Sequence, residues 1–341
     1  MESDETPHRP YAVAVGTLLT VWFTIGLIGN ITQFVVFARY RHLCSPSNIL
    51  LINLGIANLG MAVCCIPLSA SSSFLGRWIF RWEGCTIYGF FSIFFGLTVI
   101  GNTALLAVSR YILVCRRELA QQLTFSHYRY FAMVAWGNAL LWAVMPIFGW
   151  SRYDLEPLQT FCSIDWQDID GSFISYIVSL FIINFVLPVS LMVFCNLRAY
   201  QASRGQQQQQ QQSPTGGVED HQLEDTPSMH NVDWASQPEG NMLGVAFIIF
   251  FVSSWLPYAI ICMMAIILDT SDIPMLLTVI APLAAKTSIW VNPMLVLLCV
   301  KKFRHYTSML VFCRTDVQVI NPSDITSRNS NESGNYLEQY V

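Results

Sequence analysis

Seven long apolar runs limit what this chain can fold into. They cover residues 12–38, 48–70, 82–115, 129–149, 173–200, 241–268 and 273–300. The hydrocarbon core of a bilayer is about 30 Å thick, and about 20 residues of helix cross it. Each run is long enough. Lipid offers no partner to a free N–H or C=O, so each crossing run must be a helix. Charged residues make up only 12% of the chain, about half the share of a soluble domain. The expected fold is an all-α membrane protein, a seven-transmembrane helix bundle. Pro67, Pro188 and Pro257 fall within these runs, which a bundle tolerates when neighbouring helices satisfy the freed carbonyls.

The rest of the chain reads as connections and tails. Residues 1–11 form a short acidic tail with no basic stretch before the first run, unlike a cleaved signal peptide. Residues 12–314 make the bundle domain. Residues 203–240 hold the glutamines Gln206 to Gln212 and then an acidic segment poor in apolar residues, expected to be a disordered loop. Residues 315–341 are polar and are expected to be a disordered tail. Between them, KKFRHYTSMLVFC suits a short amphipathic helix on the inner leaflet. Its last residue, Cys313, is a candidate for lipidation.

Basic residues set the orientation. With the N-terminus outside, twelve Lys and Arg fall in inner segments and four in outer ones. The expectation is a multi-pass plasma-membrane protein with the N-terminus extracellular and the C-terminus cytoplasmic. Of ten cysteines, most lie in or near the runs. Cys85 begins the third run and Cys162 lies in the second outer loop, both on the oxidising side. A bridge between them would pin that loop over the bundle mouth. The sequence carries no metal-ligand cluster, phosphate-binding glycine loop or nucleophile triad, and nothing suggests a nucleic-acid partner.

The seventh run holds Lys286 near its middle, one of three lysines in the chain. It is too deep to snorkel easily, and a charge there costs a few kcal/mol or more. Position alone leaves two readings. An amine kept neutral can attack an aldehyde to form a Schiff base. An ammonium can pair with a carboxylate inside the bundle.

Several motifs resemble those of rhodopsin-like G-protein-coupled receptors over about residues 12 to 314. They are Asn30 in the first run, Cys85 and Ser109-Arg110-Tyr111 at the two ends of the third, and Trp136 in the fourth. Pro188 in the fifth, Ser254-Trp255-Leu256-Pro257-Tyr258 in the sixth and Asn292-Pro293 in the seventh complete the set. Within that class the chain resembles the opsins. Lys286 stands six residues before Asn292-Pro293, the spacing at which opsins hold retinal. The outer loop, with Gly149-Trp150-Ser151-Arg152-Tyr153 leading to Cys162-Ser163-Ile164-Asp165-Trp166, looks most like the non-visual branch of neuropsin, peropsin and the retinal-G-protein-coupled receptor.

The resemblance implies retinal, 11-cis or all-trans, bound as a Schiff base on Lys286. It implies a counterion to that base. Tyr88 occupies the position three residues after Cys85 where visual pigments place a glutamate. Glu156, six residues before Cys162, is the remaining candidate. The implied pocket holds Gly96, Phe181, Phe185, Phe251, Trp255, Tyr258 and Ala259, capped by Ile164 and Trp166. The implied partners are a heterotrimeric G protein, arrestin and membrane lipid.

The inner half departs from the family pattern. Asn58 replaces an aspartate, Ser109 the acid beside Arg110, Asn196 a tyrosine, Val296 the tyrosine after Asn292-Pro293, and Gln237 a glutamate. Losing the acid is expected to loosen the inactive state, and losing the tyrosines to weaken the active one. Two functions therefore stand. One is a non-visual photoreceptor that switches conformation on light-driven isomerisation. The other is an enzyme-like retinal photoisomerase with little signalling.

Overall fold

The long apolar runs are helices in the computed structural model, which describes residues 9–165, 167–212, 238–268 and 272–312. The spans α1 (Arg9–Arg39), α2 (Ile49–Leu75) and α3 (Arg81–Cys115) come first. A short α4 (Arg117–Gln122) leads to α5 (Phe125–Val144). The fifth span joins α6 (Gly171–Phe181) through a π turn at Ile182–Val186 to α7 (Leu187–Gln212). The sixth is α8 (Pro238–Ile267). The seventh is the pair α9 (Met275–Lys286) and α10 (Ser288–Cys299). A last helix, α11 (Lys301–Val311), follows. The third span is the hub, packed against α2, α5, α7 and α8.

Apolar side chains cover the outside of the bundle, as a lipid solvent requires, and polar ones sit among the apolar residues of the interior. Asn30, Asn58, Asn102 and Asn292 are buried between helices, while Ile28, Val63, Met133, Leu187 and Ile249 face outward. The α11 helix turns Phe303 and Met309 inward. Phe303 meets Phe37 edge-on at 4.9 Å, and Tyr306 meets Tyr40 at 4.2 Å.

The structure corrects four boundaries. The seventh run is not one helix: α9 and α10 meet at Thr287 with a 43° bend. Pro293 has no N–H, so the carbonyl of Ile289 one turn back loses its helical donor. The Asn30 side chain replaces it, with Nδ2 donating to that oxygen at 2.9 Å. Gly26 makes room, since a Cβ there would lie 2.5 Å from Ile289 Cγ2. At the bend the Thr287 and Ser288 hydroxyls donate to Ala284 O at 2.6 Å and Ala285 O at 3.1 Å. Such back-bonds commonly accompany bends.

The fourth helix starts at Phe125, before residue 129, because Thr124 and His127 form a capping box. It ends at Val144 and passes into a tight turn containing Pro146. The second runs on to Leu75 and closes on Gly76, whose φ of 70° suits glycine. Helix covers both ends of the segment 203–240 expected as a loop. Glutamine is a good helix former, and α7 carries the Gln206 to Gln212 run, while α8 begins at Pro238. The loop's middle, Gln237, Trp166, Cys313 and the tail 315–341 lie outside the described residues.

A two-stranded hairpin caps one end of the bundle. Strands β1 (Tyr153–Leu155) and β2 (Cys162–Ile164) run antiparallel, with Tyr153 opposite Ile164 and Leu155 opposite Cys162. A disulfide joins Cys85 at the start of α3 to Cys162. Gly89 lets the hairpin sit close, because a Cβ there would lie 2.4 Å from the Tyr153 ring. Tyr153 donates its hydroxyl to Ala143 O at 2.8 Å. Outside the membrane, Arg152 Nε donates to Asp165 Oδ2 at 2.7 Å, which raises the guanidinium's pKa.

The Asn30 bridge has a measurable value. Replacing Asn30 by alanine leaves a buried carbonyl unanswered, at a cost of about 1–3 kcal/mol. Thermal unfolding of Asn30→Ala in detergent is expected at a lower midpoint than wild type. An unchanged midpoint contradicts the role assigned to Asn30.

Candidate functional site

Lys286 ends α9 beside the bend and is 8% exposed. Its Nζ lies 3.5 Å from Pro282 O, one turn back. Two rings face it, Phe161 at 5.1 Å and Tyr88 at 5.8 Å from Nζ to centroid. Among the described residues Lys286 enters no direct ion pair, so its carboxylate partner is not in contact with it.

One carboxylate is nonetheless close enough to act through space. Glu156 follows β1 in the hairpin turn and is only 2% exposed. The turn is fixed by its own backbone: Glu156 N donates to Phe161 O at 3.0 Å, and Gln159 N donates to Glu156 O at 2.7 Å. The carboxylate accepts a hydrogen bond from Ser163 Oγ. It lies within electrostatic range of Lys286, Tyr88, Tyr258 and Cys262. Asp168 in the same loop is largely exposed and pairs with Arg152. One disulfide-pinned turn therefore carries both Phe161 and Glu156 into the bundle.

Below the hairpin lies an apolar cavity, part of it open to the outside. Phe181, Phe185, Trp255, Tyr258 and Ala259 line it. Phe251 stacks on Phe185 at 5.8 Å. Gly96 abuts Trp255, since a Cβ there would lie 2.7 Å from its Cη2. Ile164 is buried in the same core. Lys286 does not line this cavity. Tyr258 does, and it also lies in the field of Glu156.

At the other end of the bundle Arg110 is buried and, among the described residues, forms no ion pair with a carboxylate. Its Nη1 donates to Asn196 Oδ1 at 2.8 Å, and its Nη2 donates to Asn241 Oδ1. Gly244 stands where a Cβ would lie 2.0 Å from Asn196 Oδ1. Ser109 shares a hydrogen bond with Tyr128 at 2.9 Å, and Asn292 Nδ2 donates to Asn58 Oδ1 at 3.5 Å. Tyr111 packs near Phe194.

The family described as "7 transmembrane receptor (rhodopsin family)" matches residues 29–295. "Visual pigment-like receptor peropsin" of Homo sapiens is 33% identical, over 94% of this chain and 91% of its own. "Rhodopsin, G0-coupled" of Mizuhopecten yessoensis is 28% identical, over 82% and 67%. The fold matches "Crystal structure of squid rhodopsin" with a TM-score of 0.75 at 22% identity, over 96% of this chain and 93% of that one. The chain is an opsin of the rhodopsin receptor family.

Within this opsin the sequence reading missed three residues. Phe161 beside Lys286 had a signal, its place next to the bridged Cys162. Asn184 on the cavity wall had another, since a polar residue inside an apolar run marks function or packing. Asn241 as a second holder of Arg110 had none, because it sits at the run's edge, where polar residues are ordinary.

Gly96 gives the test of this geometry. A methyl group there forces Trp255 aside. Gly96→Ala is expected to alter the intrinsic tryptophan fluorescence of the opsin, and the double variant with Trp255→Phe to cancel the change. Identical spectra for wild type and Gly96→Ala contradict the packing.

Proposed function

We propose that this opsin is a non-visual photoreceptor that holds retinal as a Schiff base on Lys286, with Glu156 as counterion. The observation that carries the reading is a buried amine and a buried carboxylate within electrostatic range of each other, near an aromatic-lined cavity. A polyene aldehyde needs an apolar slot with few polar groups, and the lining fits that need. The relative named as a visual pigment-like receptor supports the same reading.

When bound, retinal supplies visible absorption and a double bond that light isomerises. The chain's residues do the rest. Lys286 fixes the aldehyde end. Glu156, oriented by Ser163, supplies negative charge to a cationic nitrogen that burial would otherwise disfavour. The hairpin keeps bulk water away.

Trp255, seated on Gly96, senses the shape of what fills the cavity. Its helix α8 contains Pro257 and is tied to the bend by Ser254 and Thr287, hydroxyl to hydroxyl at 3.1 Å. The same helix holds Arg110 through Asn241. A pivot of α8 near Pro257 breaks that tie and opens the Arg110 end to a G protein or arrestin. Neutral amides hold a guanidinium less strongly than a carboxylate does, which lowers the barrier to opening. This function places the opsin in the plasma membrane with the hairpin extracellular and α11 on the cytoplasmic leaflet. One relative's name gives G0 coupling for that protein.

Purified opsin reconstituted separately with 11-cis and all-trans retinal tests the reading. The expectation is a pigment from the 11-cis form, lost in Lys286→Ala, with an all-trans photoproduct and light-dependent nucleotide exchange on an added G protein. Preference for all-trans retinal with release of the 11-cis form after light replaces the sensor with a photoisomerase. In a pigment-forming sample, Glu156→Gln is expected to move the absorption to shorter wavelength near neutral pH. An unchanged spectrum removes Glu156 as counterion.

A further inference from the structure

The fifth span contains a defect that the proposed function leaves unused. Pro188 cannot donate to the carbonyl of Asn184 one turn back. The helix widens there into the π turn Ile182–Val186, with Leu187 N donating to Ile182 O. π turns recur at functional sites. Asn184 sits in this turn, is 5% exposed, and lines the apolar cavity between Phe181 and Phe185.

Its amide is half used. Asn138 Nδ2 of α5 donates to Asn184 Oδ1 at 2.8 Å, which fixes the group in place. Asn184 Nδ2 is buried with no hydrogen-bond partner. A buried donor left unanswered in an apolar wall is uncommon in folded proteins. Reversing both amides would leave Oδ1 unanswered in place of Nδ2. A hydroxyl, donor and acceptor at once, answers either arrangement.

The cavity runs between α3, the fifth span and α8, whereas Lys286 lies on α9. A retinal anchored on Lys286 and filling the cavity therefore presents its ring to the fifth-span wall. We propose that the pocket selects a retinal whose ring carries an oxygen function, a hydroxyl above all, hydrogen-bonded to Asn184. This inference rests on the reading of Lys286 as the retinal site. An unsubstituted ring excludes water from the amide and offers it nothing, whereas an oxygenated ring completes it.

The test is a competition on the full chain in membranes or detergent. Opsin is offered equal amounts of retinal and 3-hydroxyretinal, and separately of retinal and 4-hydroxyretinal, each in the isomer that gives pigment. The bound chromophore is then extracted and quantified. Wild type is expected to favour at least one hydroxylated form roughly fivefold to tenfold, the worth of one net hydrogen bond. Asn184→Leu is expected to form pigment with retinal and to take up both forms about equally. A wild-type ratio of one or below for both hydroxyretinals overturns the inference and leaves the photoreceptor reading standing. So does a preference that Asn184→Leu retains. If that variant does not fold, the wild-type ratios decide alone. Absence of pigment from all three aldehydes overturns the reading of Lys286 and this inference with it.

Discussion

Taking a primary amine out of water costs several kcal/mol per charge, and the seventh span carries one where its helix bends. That cost organises the hairpin end of the bundle. Phe161 and Tyr88 lay their rings toward Lys286, and Glu156 brings a carboxylate within electrostatic reach without touching it. The disulfide between Cys85 and Cys162 holds the turn that carries Phe161 and Glu156. A loop free to swing would leave the amine to water, and a direct ion pair would tie it up.

The two ends of the molecule share helices. The bend at Thr287 is joined to α8 through Ser254, α8 presents Trp255 to the cavity, and its first turns hold Arg110 through Asn241. Prolines recur along this path, and each frees a carbonyl. In lipid no water answers such a group, so another helix must. Asn30 does so for Ile289, while the helix at Asn184 widens instead. Lys286 and the Asn184 wall of the cavity both lie where the backbone is interrupted.

Much of this was legible in the sequence. The spans follow from apolar length, and Lys286 stands out because a lysine in hydrocarbon is rare. Phe181, Phe185, Trp255, Tyr258 and Ala259 reach one cavity from two helices whose prolines announce themselves. The bend at Thr287 was not legible, since hydroxyl back-bonds leave no periodic trace. Nor was the helix through Gln206 to Gln212, where low hydrophobicity suggested a loop but propensity prevailed. Ser109 in place of an acid suggested a loosened inactive state, and Asn196 in place of a tyrosine a weakened active one. The structure adds what neither substitution showed: Asn196 is one of two amides that hold Arg110, a contact that depends on Gly244 and on no motif.

The central claim is that Lys286 is the one lysine that carries retinal. Opsin incubated with retinal, reduced with borohydride and digested is read by mass spectrometry at its three lysines, Lys286, Lys301 and Lys302. The account predicts a retinyl group on the peptide containing Lys286 and none on Lys301 or Lys302, which lie in α11. Reduction that leaves Lys286 unmodified while pigment forms, or places the retinyl group on α11, contradicts it.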